Sequence, residues 1–220
     1  MVNILGSHNS VLNVFLAEMR DVEIQKDRMR FRRNMERMGE IFAYEISKTL
    51  PYQEKEVVTT LGSAQVMLPT ICPVLATILR AGLPLHQGLL NFFDHSDNAF
   101  VSAFRKPNKN GTFKIELEYV SSPEIEDRIL ILCDPMLATG ASILLAYKSL
   151  LAKGKPKHTH IVSVLASQEG VEFLKSHLSQ DDVTIWVGAI DDELTAQAYI
   201  VPGLGDAGDL SFGSKYDRLL

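Results

Sequence analysis

One stretch of the chain combines the residue types that bind a sugar phosphate, the segment "ILILCDPMLATGAS" at residues 129–142. Five mainly apolar residues lead directly to Asp134, and Thr139, Gly140 and Ser142 follow before the next apolar run. A carboxylate can accept hydrogen bonds from the hydroxyls of a ribose. Hydroxyls and backbone N–H groups at a helix start can hold a phosphate. The stretch predicts a sugar-phosphate clamp, and an ordinary turn capped by Thr139 or Ser142 is the alternative.

Other chemical motifs are weaker or absent. The sequence has no Gly-Lys-Ser or Gly-Lys-Thr for a P-loop and no G-x-S-x-G nucleophile elbow. G-x-G-x-x-G occurs at residues 203–208, but Pro202 precedes it and no good strand leads into it. His158 and His160 would share one strand face, yet no third metal ligand is near in sequence. These patterns favour neither a dinucleotide site nor a metal centre.

The elements that must position this clamp are predicted to be short buried strands alternating with helices. Continuous apolar strands separated by helices are typical of a parallel sheet covered on both faces, an α/β fold. Ligands of such sheets bind beyond the carboxyl ends of the strands, where Asp134 is expected. The predicted strands are residues 57–61, 74–79, 99–104, 129–133, 160–165 and 184–189, and the predicted helices are residues 83–93, 141–153 and 168–178.

Two segments look like additions to this core. Residues 1–50 are predicted to form a helical N-terminal arm, with a charged face that includes Arg28 and Arg37 interpreted as solvated. Residues 99–120 are predicted to form a β-hairpin arm around the turn "PNKNG", because the second half alternates apolar and polar residues. We expect this hairpin to stand apart from the parallel core.

The composition limits the classes of function. The 220 residues suit one domain with appended elements or two small domains, and a net charge of −5 argues against broad nucleic-acid binding. Cys72 and Cys133 lie in apolar surroundings without metal-type spacing, which indicates reduced thiols and a cytoplasmic protein. The sequence has no apolar segment long enough to cross a membrane and no export signal pattern, so no membrane association is expected.

The stretch at 129–142 resembles the phosphoribosyl-diphosphate (PRPP) motif of type I phosphoribosyltransferases. Its form, with Pro135 where most members carry a second acid, is similar to that of the uracil phosphoribosyltransferases. Three further segments agree in the right order: "ILRAGLPL" at residues 78–85, "AID" at residues 189–191 and "YIVPGLGDAGDLSFG" at residues 199–213. The resemblance implies a type I phosphoribosyltransferase-like parallel sheet flanked by helices, within one domain over residues 1–220.

The resemblance also assigns the PRPP-binding residues. Arg80 and Arg105 would neutralise the diphosphate, because a guanidinium binds phosphate oxygens in pairs, and the Leu79–Arg80 peptide would have an unusual geometry. Asp206 would order the Mg²⁺–PRPP complex indirectly, through water. The remaining PRPP-binding residues are Asp134, Met136, Leu137, Ala138, Thr139, Gly140, Ala141 and Ser142.

The base site follows from the same resemblance, with residues 199–213 as a small C-terminal hood or base-binding loop. Main-chain groups would read uracil there, and Asp209 would brace the loop. The residues expected at the base are Met136, Ile200, Gly205, Asp206 and Ala207, and Arg80, Arg105 and Asp206 are the expected catalytic residues.

The implied reaction is displacement of diphosphate from PRPP by uracil to give UMP, with Mg²⁺ as cofactor. The resemblance further implies a homodimer or larger homo-oligomer, and it leaves open whether GTP is an effector. Alternatives are a transferase for another base, a non-catalytic pyrimidine-responsive regulator, and a weakened paralogue. The last rests on Ala141, which fills a position that is usually glycine, and on unusual residues at 194–198.

Overall fold

The structure is a computed structural model that describes residues 1–107 and 113–214, leaving out the side chains of residues 103–116. The strands are β1 (Val2–Ile4), β2 (Tyr52–Thr59), β3 (Gly62–Pro69), β4 (Val74–Leu79), β5 (Asn98–Pro107), β6 (Phe113–Ser121), β7 (Ile129–Cys133), β8 (Met136–Leu137), β9 (His158–Ser167), β10 (Val183–Asp191), β11 (Glu193–Leu194) and β12 (Ile200–Val201). The helices are α1 (Leu12–Arg20), α2 (Arg28–Ser47), α3 (Leu83–Phe92), α4 (Ala141–Leu150), α5 (Gln168–His177) and α6 (Ala207–Phe212).

The main sheet has the strand order β1-β10-β9-β7-β4-β5-β6, and β8 also pairs with β9. All of these pairings are parallel except that of β5 with β6. The prediction of a parallel α/β sheet is therefore confirmed. Because β4, β7, β9 and β10 are central, their carboxyl ends bring Arg80, Asp134 and Asp191 toward one edge of the sheet.

The strand β7 shows why the central strands are apolar throughout. Ile131 and Cys133 pack into a core cluster with α1, α2 and α3, whereas Leu130 and Leu132 pack into a second cluster with α4 and α5. Successive side chains of a strand point to opposite faces, so a sheet covered on both faces needs apolar residues at every position. The helices thus form two layers around the sheet.

The first 50 residues are helical as predicted, but they do not form a projecting arm. Phe31, Met35, Met38 and Phe42 of α2 are almost completely buried in the first core cluster. The segment also contains β1, which pairs with β10 at the edge of the sheet and which the sequence analysis missed. A strand of only three residues gives too short a pattern to be recognised.

The predicted parallel strand at residues 57–61 is wrong. Its residues belong to β2 and the turn before β3, and these strands form a separate antiparallel hairpin. Every residue of β2 and β3 is exposed. The apolar run Val57–Val58 resembles the start of a buried strand, but polar residues on both sides of it leave no apolar face for a core.

The hairpin at residues 99–120 forms, but it is not set apart from the core. Its first strand, β5, pairs in parallel with β4 and in antiparallel fashion with β6, so the hairpin extends the edge of the main sheet. The turn at residues 108–112 lies outside the described residues. The alternating pattern correctly predicted the antiparallel pairing, and it could not show that the other edge of β5 is also paired.

Helices α2 and α3 cross at a pair of glycines. A Cβ atom on Gly88 would collide with the carbonyl oxygen of Glu36, and one on Gly39 would collide with the carbonyl oxygen of Leu85. The backbones of α2 and α3 are therefore in direct contact. This contact holds α3, which follows β4 in the chain, close against the core. None of the helices in the described part of the chain is long and apolar enough to cross a membrane.

Candidate active site

The loop after β7 is held against the neighbouring strand β9. The Asp134 N–H donates to the Val162 carbonyl at 3.0 Å, and the Pro135 carbonyl accepts from the N–H groups of Val164 and Leu165, both at 3.0 Å. Met136 and Leu137 then form β8, which pairs with β9. These bonds fix the backbone of the predicted PRPP loop, residues 134–142, from its first residue.

The loop ends in a left-handed glycine. Gly140 has φ of 79°, and a Cβ atom there would lie 2.8 Å from Phe173 Cδ1. Helix α4 begins at Ala141, and its N-cap residue, Gly140, has no side chain that could accept a hydrogen bond. The Ala141 N–H lies 3.4 Å from Thr139 Oγ1, which is a long contact. Thr139 therefore caps α4 weakly, as the alternative of a capped turn predicted, and the start of α4 is also suited to an anion.

Ser167, which was not predicted from the sequence, supports the PRPP loop through hydrogen bonds. The Ser167 hydroxyl donates to the Ala138 carbonyl at 2.6 Å and accepts from the Gly170 N–H at 2.9 Å. Ser167 is therefore the N-cap of α5 and also supports the PRPP loop. A serine directly before the predicted helix at 168–178 is a recognisable capping signal, but its contact with residue 138 is not visible in the sequence.

Arg80 reaches from the end of β4 to the C-terminal part of the chain. Its Nη2 donates to the Gly213 carbonyl at 3.2 Å and lies 3.7 Å from Asp209 Oδ1. The Leu79–Arg80 peptide is cis, as the expected unusual geometry implied. The guanidinium is 43% exposed, so it remains accessible to a ligand. Arg105 lies in β5, but its side chain is outside the described residues.

Residues 199–213 contain more regular structure than the predicted loop. They begin with β12, which pairs with β11, and they end with the helix α6. Gly203 and Gly205 have φ of 59° and 94°, a conformation that favours glycine. Asp206 is the N-cap of α6, because its Oδ1 accepts from the Asp209 N–H at 2.9 Å.

The structure brings the PRPP loop and the C-terminal segment together. Met136 packs against the core cluster that contains Ile200, Leu204 and Ala207. A cavity of about 620 Å³ adjoins the C-terminal segment, and its lining includes Gly205 and Asp206 together with residues of the 22–28 segment. Of the residues predicted to contact the base, Gly205 and Asp206 line this cavity, whereas Met136, Ile200 and Ala207 belong to or pack against the core cluster.

Part of the arginine face of α2 is not solvated as predicted. Arg32 donates to the Ser211 carbonyl at 2.7 Å, which attaches α2 to the end of α6. Arg30 forms a hydrogen-bonded ion pair with Glu18 of α1. These arginines therefore join helices, and Arg32 helps to hold the C-terminal segment in place.

Comparison with known proteins decides the family. The family model described as uracil phosphoribosyltransferase matches residues 6–214. The chain belongs to the uracil phosphoribosyltransferase family. It is 56% identical over 211 residues to the uracil phosphoribosyltransferase of Porphyromonas gingivalis, covering 96% of this chain and 97% of that protein. The corresponding protein of Pyrococcus furiosus is 38% identical over 203 residues, covering 90% of this chain and 84% of the other.

A solved structure has the same fold as this chain, which is a member of the uracil phosphoribosyltransferase family. The AQ2163 protein from Aquifex aeolicus superposes with a TM-score of 0.83 and 28% sequence identity, covering 98% of this chain and 100% of that one. The family model and the similar proteins confirm the resemblance drawn from residues 129–142 and 199–213. The chain is a phosphoribosyltransferase.

The residues present fit a Mg²⁺ ion that is held mainly by its substrate. The described residues contain no group of three or more His, Cys, Asp or Glu side chains that could hold a metal ion. Mg²⁺ often keeps several waters and binds through one or two carboxylates plus substrate phosphates. Asp206, which lines the cavity, is a carboxylate of the kind that such an ion uses.

The histidine pair on β9 is hydrogen-bonded to side chains of β10. His160 Nδ1 accepts from Trp186 Nε1 at 3.1 Å, and His158 Nε2 is hydrogen-bonded to Thr184 Oγ1 at 2.9 Å. Burial, together with the neighbouring His158, lowers the pKa of His160 to about 3. The ring is therefore neutral and serves as an acceptor within the core.

Proposed function

We propose that this enzyme transfers the phosphoribosyl group of PRPP to N1 of uracil, giving UMP and diphosphate in pyrimidine salvage. The bond from N1 to ribose C1 forms as the bond from C1 to the diphosphate oxygen breaks, and the N1 proton of uracil passes to the diphosphate or to water. One observation carries the proposal: the PRPP loop, Arg80 and the segment 199–213 meet at one edge of the sheet in a uracil phosphoribosyltransferase fold.

PRPP binding would be shared between these elements. The start of α4, with Thr139 and Ser142, would hold the 5-phosphate, and Asp134 would accept from the ribose hydroxyls. Arg80 and Arg105 would bind the diphosphate. Mg²⁺ bound to PRPP would neutralise charge on the leaving diphosphate. Since the transition state has oxocarbenium character, positioning and electrostatics would supply the catalysis without an enzyme nucleophile.

The base would be read by the main chain of the C-terminal segment. Ile200, Gly205 and Ala207 would offer backbone donors and acceptors, and Met136 would cover the other side of the ring. Cytosine differs from uracil in its donor and acceptor pattern, so it would leave fixed backbone groups unpaired. Such mismatches can give large discrimination.

The direct test uses the purified chain with Mg²⁺ and PRPP and offers uracil, cytosine and hypoxanthine in parallel. We expect UMP from uracil, with far slower conversion of the other bases. If another base reacts and uracil does not, the base assignment is wrong. If no base reacts although PRPP binds, the non-catalytic regulator becomes the better proposal, and salt-sensitive RNA binding would then be measured.

Asp206 can be tested with a pair of variants that separates its two roles. Asp206→Asn preserves a side-chain acceptor for the Asp209 N–H, because asparagine is also a good N-cap, but it removes the charge. We expect activity to fall by about 100-fold or more with an unchanged melting temperature. Asp206→Ala should lose activity and some stability as well. Full activity in Asp206→Asn would refute the proposed role at the Mg²⁺–PRPP complex.

Assembly, effector and location are further parts of the proposal. We expect a homodimer or larger assembly, supported by the exposed hairpin β2–β3. The resemblance leaves a GTP effector open, and initial rates with and without GTP would decide it. A cytoplasmic location is supported by the free thiols Cys72 and Cys133. Burial raises the pKa of Cys133 to about 12, so this thiol stays neutral.

A further inference from the structure

The acid at the end of β10 has no part in the proposed chemistry. Asp191 belongs to the "AID" segment at residues 189–191, and its side chain is only 7% exposed. A carboxylate buried to this degree needs a charged or hydrogen-bonding partner, because it has lost its water. The hydrogen-bond partners of Asp191 show which part of the molecule it stabilises.

Asp191 forms a two-pronged ion pair with Arg20, the last residue of α1. Arg20 Nη1 donates to Asp191 Oδ2 and Nη2 donates to Oδ1, both at 2.7 Å. The Arg20 side chain is 24% exposed, so this pair is largely shielded from water. A guanidinium and a carboxylate in this geometry orient one another rigidly.

The same pair binds both backbone polar groups of Gly203. Arg20 Nη1 donates to the Gly203 carbonyl at 2.9 Å, and the Gly203 N–H donates to Asp191 Oδ2 at 2.9 Å. Gly203 is left-handed, and a Cβ atom there would collide with the carbonyl of Ile200. The ion pair thus holds the residue that lies between Ile200 and Gly205, two of the residues proposed to read the base.

The charge on Asp191 is secured by this arrangement. Burial by itself raises the pKa of Asp191, but the hydrogen bonds from Arg20 and Gly203 and the charge of Arg20 outweigh it, so the pKa lies below its usual value. The carboxylate is therefore ionised at neutral pH and can accept from Gly203 and Arg20 together.

We propose that Arg20 and Asp191 are positioning residues for base recognition, which act by fixing both peptide groups of Gly203. The inference rests on the proposed role of residues 199–213 in binding uracil. PRPP binding should depend on the Arg20–Asp191 pair much less than uracil binding does. The PRPP loop is held by β9 and by Ser167, while Asp206 is held by its bond to Asp209.

The test measures the KM for uracil and the KM for PRPP separately in Asp191→Asn and Arg20→Lys. The Asp191→Asn change removes the charge and one of the two acceptor oxygens, and lysine lacks the fork that reaches both Asp191 oxygens. We expect the KM for uracil to rise by about tenfold or more, because charge-assisted hydrogen bonds are lost, while the KM for PRPP stays within about twofold. Equal increases in both constants, or no increase in either, would overturn the proposal.

Glu18→Gln is the matched control, because Glu18 lies on the same helix and pairs with Arg30 of α2 rather than with the C-terminal segment. It should leave the KM for uracil within about twofold of the original value. A rise as large as that of Asp191→Asn would mean that loosening α1 is sufficient, which contradicts a specific role of the pair. Arg20→Ala adds a rescue test: guanidinium in the buffer should lower its raised KM for uracil, and no rescue of Glu18→Gln is expected.

Amide hydrogen exchange separates failure of this inference from failure of the proposed function. In the unliganded chain, residues 199–205 should exchange faster in Asp191→Asn than in the original chain, with residues 134–142 unchanged. Unchanged exchange at 199–205 would overturn the inference even if the enzyme uses uracil. If the original chain does not use uracil, the proposed function fails, and exchange still decides whether the pair fixes the segment.

Discussion

At the scale of single residues, Pro135 attaches the PRPP loop to β9 and leaves that loop with a single carboxylate. Its carbonyl accepts two N–H groups of β9, at Val164 and Leu165. Since it stands where related loops carry a second acid, Asp134 is the only carboxylate within residues 134–142. The carboxylate that we propose for the Mg²⁺–PRPP complex, Asp206, belongs to another element.

His160 leads to a prediction about stability and pH. In the unfolded chain its imidazole binds a proton near pH 6.5, whereas in the folded chain the pKa is about 3. Between these values the unfolded state binds more protons, so the free energy of unfolding should fall as the pH falls below 6.5 and level off near pH 3. The slope contributed by this one group is at most about 1.4 kcal/mol per pH unit.

The measurement is urea unfolding at pH 7 and pH 5, for the original chain and for His160→Asn. Asparagine keeps an acceptor for Trp186 Nε1 but cannot gain a proton in this range. The variant should lose less stability between the two pH values than the original chain. An identical loss in both proteins would show that His160 does not control the acid sensitivity.

At the scale of elements, Ser167 links the start of α5 to the PRPP loop. Ser167→Ala removes both the N-cap of α5 and the donor to the Ala138 carbonyl. We expect a loss of about 1–2 kcal/mol in the free energy of unfolding. We also expect the KM for PRPP to rise more than the KM for uracil, because only the PRPP loop loses a support.

Ser176→Ala is the matched control for this prediction. It removes a hydroxyl from the same helix, where Ser176 donates to the Phe173 carbonyl at 2.8 Å on the surface. Its KM values should not change. If Ser167→Ala lowers stability without any selective effect on PRPP, then α5 is stabilised by Ser167 but the PRPP loop is not positioned by it.

The contact of α2 with α3 gives a second prediction at this scale. Gly88→Ala would drive a methyl group into the Glu36 carbonyl, so the two helices would have to separate. We expect a loss of about 3 kcal/mol or more in a urea titration, as for other overpacked sites. Met29→Ala, at a position of α2 that is 64% exposed, should cost far less. Similar midpoints for the two variants would contradict this close packing.

The elements that could be predicted from the sequence are those whose pattern is local. The strand at 129–133 is apolar at every position and is confirmed with the same bounds, and the helices at 83–93 and 168–178 differ by a single residue at the end. The features that were missed depend on distant partners. Nothing near Ser167 indicates Ala138, and nothing near Arg20 indicates an acid 171 positions further along the chain.

At the scale of the whole molecule, the hairpin β2–β3 carries apolar side chains away from the core. Val58 is 84% exposed and Leu61 is 98% exposed, and Val66 and Met67 are also exposed. Exposed apolar side chains on a hairpin whose residues are all exposed can mark a protein interface. We expect the hairpin to contact a second copy of the chain in the proposed assembly.

The assembly prediction can be checked by light scattering after gel filtration. Val58→Lys combined with Leu61→Lys should reduce the mass of the assembly or make it dissociate on dilution, because two charges would be buried in the interface. Leu151→Lys, at an exposed position just after α4, should leave the mass unchanged. If the hairpin variant keeps the original mass, the contact between copies lies elsewhere.

The pairing of β1 with β10 limits how early the nascent chain can complete its sheet. Residues 2–4 pair with residues 185–187, and Arg20 pairs with Asp191, so a segment synthesised early finds its partners only after β10 has been made. Until those residues have left the ribosome, β1 has no sheet edge to join. A nascent chain therefore cannot complete the proposed base-binding end of its active site before β10 has emerged, and a product terminated earlier than that strand would also lack the segment 199–213.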